Sequence, residues 1–119
     1  MGWNASVRMA SGNGEYLYSS EDYSHTHNTN DMMRRALDVV GNLEVLGEQH
    51  LYALDKMLCS TAAEILKPAI KWWEKQAPDV MQDLAPANHW GTPGSAFSFW
   101  QNVLRLCEQH PHADLCLEG

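Results

Sequence analysis

The chain has 119 residues, 45% of them hydrophobic, and fifteen acidic against eight basic side chains give it a formal charge of −7. That length accommodates one domain over residues 1–119, the hydrophobic share argues against wholesale disorder, and the acidic balance disfavours a nucleic-acid polymer, whose binding needs clustered cations to displace phosphate counterions. No apolar run approaches the roughly 20 residues of a membrane span. No charged leader precedes an apolar block, and the three cysteines, Cys59, Cys107 and Cys116, are scattered and odd in number. A soluble protein of a reducing cytoplasm, with free thiols and no membrane association, is the expectation.

Along the chain, Trp3, Ala5, Val7 and Met9 alternate with Asn4, Ser6 and Arg8, the period of a strand covered on one face. Ser11-Gly12-Asn13-Gly14 is turn chemistry, and residues 15–19 read as the return strand of a hairpin. The polar stretch 20–30 reads as a loop. It leads into a helix capped by Thr29 or Asn30, with Asp31 at the positive end of its dipole and Met33, Ala36, Leu37 and Val40 at helical spacing. Gly41 and Gly47 end this helix in the forties, and Leu51, Leu54 and Leu58 mark another short helical piece.

Thr61-Ala62-Ala63-Glu64 has the form of a capping box. The helix it opens carries Ile65, Leu66, Ala69, Ile70, Trp72 and Trp73, is expected to kink at Pro68, and ends at Ala77-Pro78. Residues 79–84 add a turn or two. After the loop Pro86-Ala87-Asn88-His89-Trp90-Gly91, Thr92 as cap and Pro93 as first residue start a last helix with Ala96, Trp100, Val103, Leu104 and Cys107 on one face. His110-Pro111 stops it, and Leu115 and Leu117 share a face of a terminal strand with Cys116 opposite. The fold class that follows is α+β: a small antiparallel or mixed three-stranded sheet, built from the N-terminal hairpin and the C-terminal strand, with helices packed on one face.

The order of these pieces resembles a widespread family of small proteins encoded by bacteriophages and prophages. The residues that carry the resemblance are Thr26-His27-Asn28 before Met32-Met33-Arg34, and Pro86-Ala87-Asn88-His89-Trp90-Gly91 before the helix that ends Cys107-Glu108-Gln109-His110-Pro111. Members typically carry Tyr-Thr-(His/Ser)-Asn before the first helix and Asn-Pro-x-Asn-Gly-Trp-Gly before the last. This chain departs from the pattern with Ser24-His25 ahead of Thr26 and with His89 in place of a glycine. The resemblance implies a viral protein acting in the host cytoplasm, in a setting where small accessory proteins counter host defence. Some of these sequester cyclic nucleotide signals as anti-CBASS and anti-Thoeris sponges, and others bind a defence protein.

The residues allow two readings at each candidate site. Around Thr26-His27-Asn28-Thr29-Asn30, free helix amides and Arg34 suit an anion while Asn28 offers polar edges to a base or sugar; alternatively the same side chains simply cap the helix. In Asn88-His89-Trp90-Gly91, Trp90 can stack a nucleobase or plug the core. If both loops converge, His27, Asn28, Arg34, Asn88 and Trp90 line one pocket for a small anionic nucleotide-type ligand, and Arg35, pointing about 100° from Arg34, faces solvent. Cys107-x-x-His110-x-His112-x-x-x-Cys116 has the residue types of a zinc site, yet it straddles a helix end, a proline and a strand, so no metal or cofactor is expected. No nucleophile elbow or glycine-rich phosphate loop is present. Glu64 and Glu74 read as a cap and a solvated face, and the chain reads as a non-enzyme. Trp72 and Trp73 diverge on one helix, which points to a homo-oligomer. The alternative function is an acidic protein-interaction inhibitor that blocks a host defence protein.

Overall fold

The structure is a computed structural model that describes residues 2–10, 16–18, 23–26, 30–76 and 92–118. The alternation at the start of the chain makes β1 (Gly2–Ala10), with Trp3, Ala5 and Val7 buried and Asn4 exposed. It is the central strand. β2 (Tyr16–Tyr18) pairs with its far end, Arg8 opposite Tyr18 through Ala10 opposite Tyr16. β3 (Tyr23–Thr26) pairs with its near end, Gly2 opposite Thr26 through Ala5 opposite Tyr23. β4 (Asp114–Glu118) runs beside Asn4 to Arg8.

Every pairing is antiparallel, and the sheet has four strands among the described residues, not the three expected. The strand missed is β3, whose Tyr-Ser-His-Thr has no apolar alternation to betray it. Main-chain pairing with β1 holds it, a contribution that strand propensity does not encode.

The outer edge of β4 is covered as well. Lys56 N–H donates to Leu115 O at 2.7 Å, Leu115 N–H to Met57 O at 2.8 Å, and Leu117 N–H to the Asp55 carboxylate at 2.9 Å. A bridge joins Leu58 to Asp114. These contacts remove the open ladder edge that otherwise invites pairing with another chain. They also overturn the helical reading of Leu58, which is 42% exposed and lies in extended chain at the sheet edge.

α1 (Asn30–Val39) buries Met32, Met33, Ala36 and Leu37. It ends on Gly41 at φ 79°, with Gly41 N–H donating to Asp38 O at 3.0 Å and Asn42 N–H to Leu37 O at 2.8 Å. This pair of bonds satisfies the last carbonyls and uses the left-handed conformation that glycine tolerates. Asn42 Nδ2 then donates to Ile65 O at 2.9 Å, tying this corner to the next long helix. A short α2 (Leu43–Leu46) and a 3₁₀ segment (Gly47–Leu54) follow; the short helical piece expected at Leu51 and Leu54 is this 3₁₀ segment, with both leucines buried.

α3 (Cys59–Glu74) starts two residues ahead of the expected capping box, and no side chain caps it. Its first amides find main-chain acceptors instead: Cys59 N–H donates to Ala113 O at 2.8 Å and Ser60 N–H to Pro111 O at 3.1 Å. The approach to β4 thus does what Thr61 and Glu64 were expected to do. Pro68 sits inside the helix on an exposed face. Trp73 is buried, edge-on to Phe97 at 5.6 Å between ring centres, whereas Trp72 is half-buried against the same core.

α4 (Pro93–Gln109) opens as expected. Thr92 Oγ1 accepts from Ser95 N–H at 3.1 Å and Ser95 Oγ accepts from Thr92 N–H at 3.0 Å, a reciprocal cap with Pro93 in the first helical position. Ala96, Trp100, Val103, Leu104 and Cys107 are all buried, joined by Phe99 and Leu106. α4 packs against α3, β1 and β3, and α1 packs against α3. Leu115 and Leu117 complete this core from the sheet; Cys116, on the opposite face, is buried outside it. Among the described residues no helix is long and apolar enough to cross a membrane.

Candidate binding groove

Trp3 links the core to the surface site. Its ring meets Trp100 edge-on at 6.3 Å on one side and Tyr52 at 4.9 Å, tilted by 51°, on the other. Its indole N–H donates to Asn30 Oδ1 at 2.6 Å. A fully buried tryptophan therefore sets the positions of two groove side chains, one at the start of α1 and one at the end of the 3₁₀ segment. Asn30 is the first helical residue, and the oxygen expected to cap the helix is committed to the indole.

Between these elements lies a groove of about 540 Å³, walled by Asn30 and Arg34 of α1 and by Glu48, Gln49, His50 and Tyr52 of the 3₁₀ segment. Leu51 lies beneath it, buried. The volume falls within the roughly 300–1,000 Å³ typical of small-molecule sites. Tyr52 is 52% exposed and presents ring surface. Arg34 has 43% of its side chain exposed and stands 3.7 Å from the Asp31 carboxylate one turn back. That exposed pair is weak, so an incoming anion competes for the guanidinium at little cost. Arg35 is exposed and does not line this groove.

His50 separates the groove from a second hollow of about 590 Å³, lined by Asp38, Leu43, Glu44, Gly47, Glu48 and His50. Its backbone is at φ 51° and ψ −123°, which breaks the 3₁₀ segment in two. A side chain there is strained by roughly 1–3 kcal/mol. Its Nδ1 is buried with no hydrogen-bond partner among the described residues. Strain and an unsatisfied polar atom fall together at the groove wall.

Of the five residues expected to share one pocket, Arg34 lines the groove; His27, Asn28, Asn88 and Trp90 lie outside the described residues. The groove partners are ones the sequence did not single out: Glu48, Gln49, His50 and Tyr52. Only the glycines at 41 and 47 signalled that regular helix fails there. The residues considered for zinc are not assembled. Cys107 is buried in the helical core, Cys116 lies on the other face of the sheet and His112 is exposed. Among the described residues no three His, Cys, Asp or Glu side chains are placed to hold a metal ion.

No protein-family model, curated protein or solved structure matches the chain. The functional reading therefore rests on the groove and on the sequence.

Proposed function

We propose that this protein is a non-catalytic binding protein that sequesters a small anionic ligand of nucleotide type in the groove between α1 and the 3₁₀ segment. The observation that carries this reading is one groove that offers a guanidinium, Arg34, and an aromatic side chain, Tyr52, the latter packed on buried Trp3. Phosphate suits the guanidinium and the neighbouring N-terminal turn of α1. A base suits the tyrosine ring, a stacking contact worth roughly 1–3 kcal/mol, and Asn30, Gln49 and Glu48 supply donors and acceptors for its edges. This agrees with the bacteriophage-family resemblance, which points to a sponge for a cyclic or other nucleotide signal, acting in the host cytoplasm against a defence pathway. Half-buried Trp72 is the surface through which copies of the chain associate. Sedimentation at micromolar concentration is expected to give a dimer or larger; a 13.4 kDa species contradicts association.

A second reading draws on Val39 and Val45, 50% and 66% exposed and flanked by Asp38 and Glu44. An acidic surface with apolar residues in it suits a basic site on a host defence protein. A thermal-shift series with AMP, GMP, cyclic AMP and a cyclic dinucleotide separates the two. A ligand that binds only the folded chain raises its melting temperature by mass action, and at least one of these is expected to do so. No shift with any of them rules out the sponge and leaves the protein-blocking reading.

A further inference from the structure

The groove between α1 and the 3₁₀ segment carries little charge for a site that takes an anion. Among the described residues, Arg34 is its one guanidinium or ammonium group and Glu48, on the other element, its one carboxylate. Glu48 is exposed and enters no ion pair among the described residues. Its place is set by the backbone on both sides: Gly47 before it lies at φ 74° and His50, two residues on, at φ 51°. Asp31, 3.7 Å from the Arg34 guanidinium, offsets part of that cation. The positive end of α1 returns about half an elementary charge. The chain as a whole stands at −7 with histidine neutral, so no distant excess of cations adds to the attraction.

A groove composed in this way balances one negative charge on a ligand. The first phosphate charge takes Arg34 from its weak pair with Asp31. A second meets two carboxylates, Asp31 and Glu48, and no further cation. A phosphate monoester carries close to two charges at neutral pH, whereas a phosphodiester closed on one ribose carries a single one. We propose that the ligand of this groove is a singly charged 3′,5′-cyclic mononucleotide, and that Glu48 sets the preference over 5′-monophosphates. This rests on the nucleotide-binding reading above and narrows its ligand class. Glu48 acts by repulsion: it lowers the affinity of the more highly charged competitor and adds nothing to the affinity of the favoured ligand.

The test is calorimetric titration of the whole protein at pH 8 and low salt, where a phosphate monoester is doubly charged. The probes are cyclic AMP, cyclic GMP, AMP, GMP and the methyl phosphate esters of AMP and GMP. The methyl esters carry one charge without a closed ring, so they separate charge from shape. Each cyclic nucleotide and its methyl ester are expected to bind alike, and roughly three- to tenfold tighter than the monophosphate of the same base, the size of one added repulsion at the protein surface. Glu48→Gln should narrow that gap by about twofold or more, because a doubly charged ligand gains more from the lost carboxylate than a singly charged one. Glu74→Gln makes the same change of charge at an exposed residue outside the groove and should leave the gap as it is. Monophosphates that bind as tightly as the cyclic nucleotides overturn the proposal. So do methyl esters that bind as weakly as monophosphates, or a gap that Glu48→Gln leaves intact. In each of those cases nucleotides still bind, and the reading of the groove stands without its preference. If none of the six probes binds, the nucleotide reading itself fails and the preference with it.

Discussion

The α3–α4 core and the region from α2 to the end of the 3₁₀ segment obey opposite rules. In the core, Leu66, Ala69, Ala96, Trp100, Val103 and Cys107 are shut off from water, α4 begins in a reciprocal cap, and α3's first amides are bonded. A few tens of residues away, His50 is held at a positive φ, its Nδ1 is unsatisfied, and Val45 and Tyr52 stand largely exposed. The first region supplies the stability that keeps the second in a conformation it would not adopt alone. This is the usual relation between a rigid scaffold and a binding surface.

Substitutions should split along the same line. The largest loss is expected from Trp100→Ala, which removes a fully buried ring in contact with Trp3 and Phe99. Unfolding in urea should show about 3–5 kcal/mol of destabilisation, and a loss below about 1 kcal/mol would mean that this tryptophan is not the centre of the core. At the groove the sign should reverse. His50→Gly removes the strained side chain and its orphaned nitrogen together, and a gain of about 1–2 kcal/mol in the same measurement is expected. A clear loss there would make His50 an ordinary packing residue and erase the contrast between the regions.

Smaller effects refine the picture. Thr92→Ala breaks the reciprocal cap of α4 and should cost about 1 kcal/mol. Lys67→Ala removes an exposed ion pair with Glu108 at 3.8 Å, a link between α3 and α4 that should change stability by less than about 0.5 kcal/mol. If Lys67→Ala proved as costly as Thr92→Ala, surface charge would be contributing to the core region more than its burial indicates.

The same division governs how much was legible in the sequence. The core was readable because its signals are local and periodic. Trp3, Ala5 and Val7 alternate, Ala96 to Cys107 recur at helical spacing, and Thr92-Pro93 is a start signal at the residue where α4 begins. The misreadings arose where long-range main-chain bonds replaced local ones. Thr61 and Glu64 have the form of a cap, but carbonyls from residues far along the chain reach α3 first, at Cys59 and Ser60. β3 is polar and becomes a strand only because β1 is alongside. Leu58 continues the spacing of Leu51 and Leu54, yet it is drawn into the edge of β4. The groove was legible only in Arg34 and in Asn30, the last residue of the Thr26–Asn30 segment. His50 and Tyr52 enter it through a backbone conformation that non-glycine residues rarely adopt, which no spacing rule foresees.

The most direct test of the groove is calorimetric titration of the best-binding nucleotide from the thermal-shift series into the intact protein and two single variants. Arg34→Ala is expected to weaken binding at least tenfold, with the melting temperature of the free protein unchanged, because its partner Asp31 is exposed. Arg35→Ala, next in sequence and turned away from the groove, should bind as the unaltered protein does. Equal losses in the two variants would reduce Arg34 to a share of diffuse surface charge, and undiminished binding by Arg34→Ala would place the ligand somewhere other than this groove.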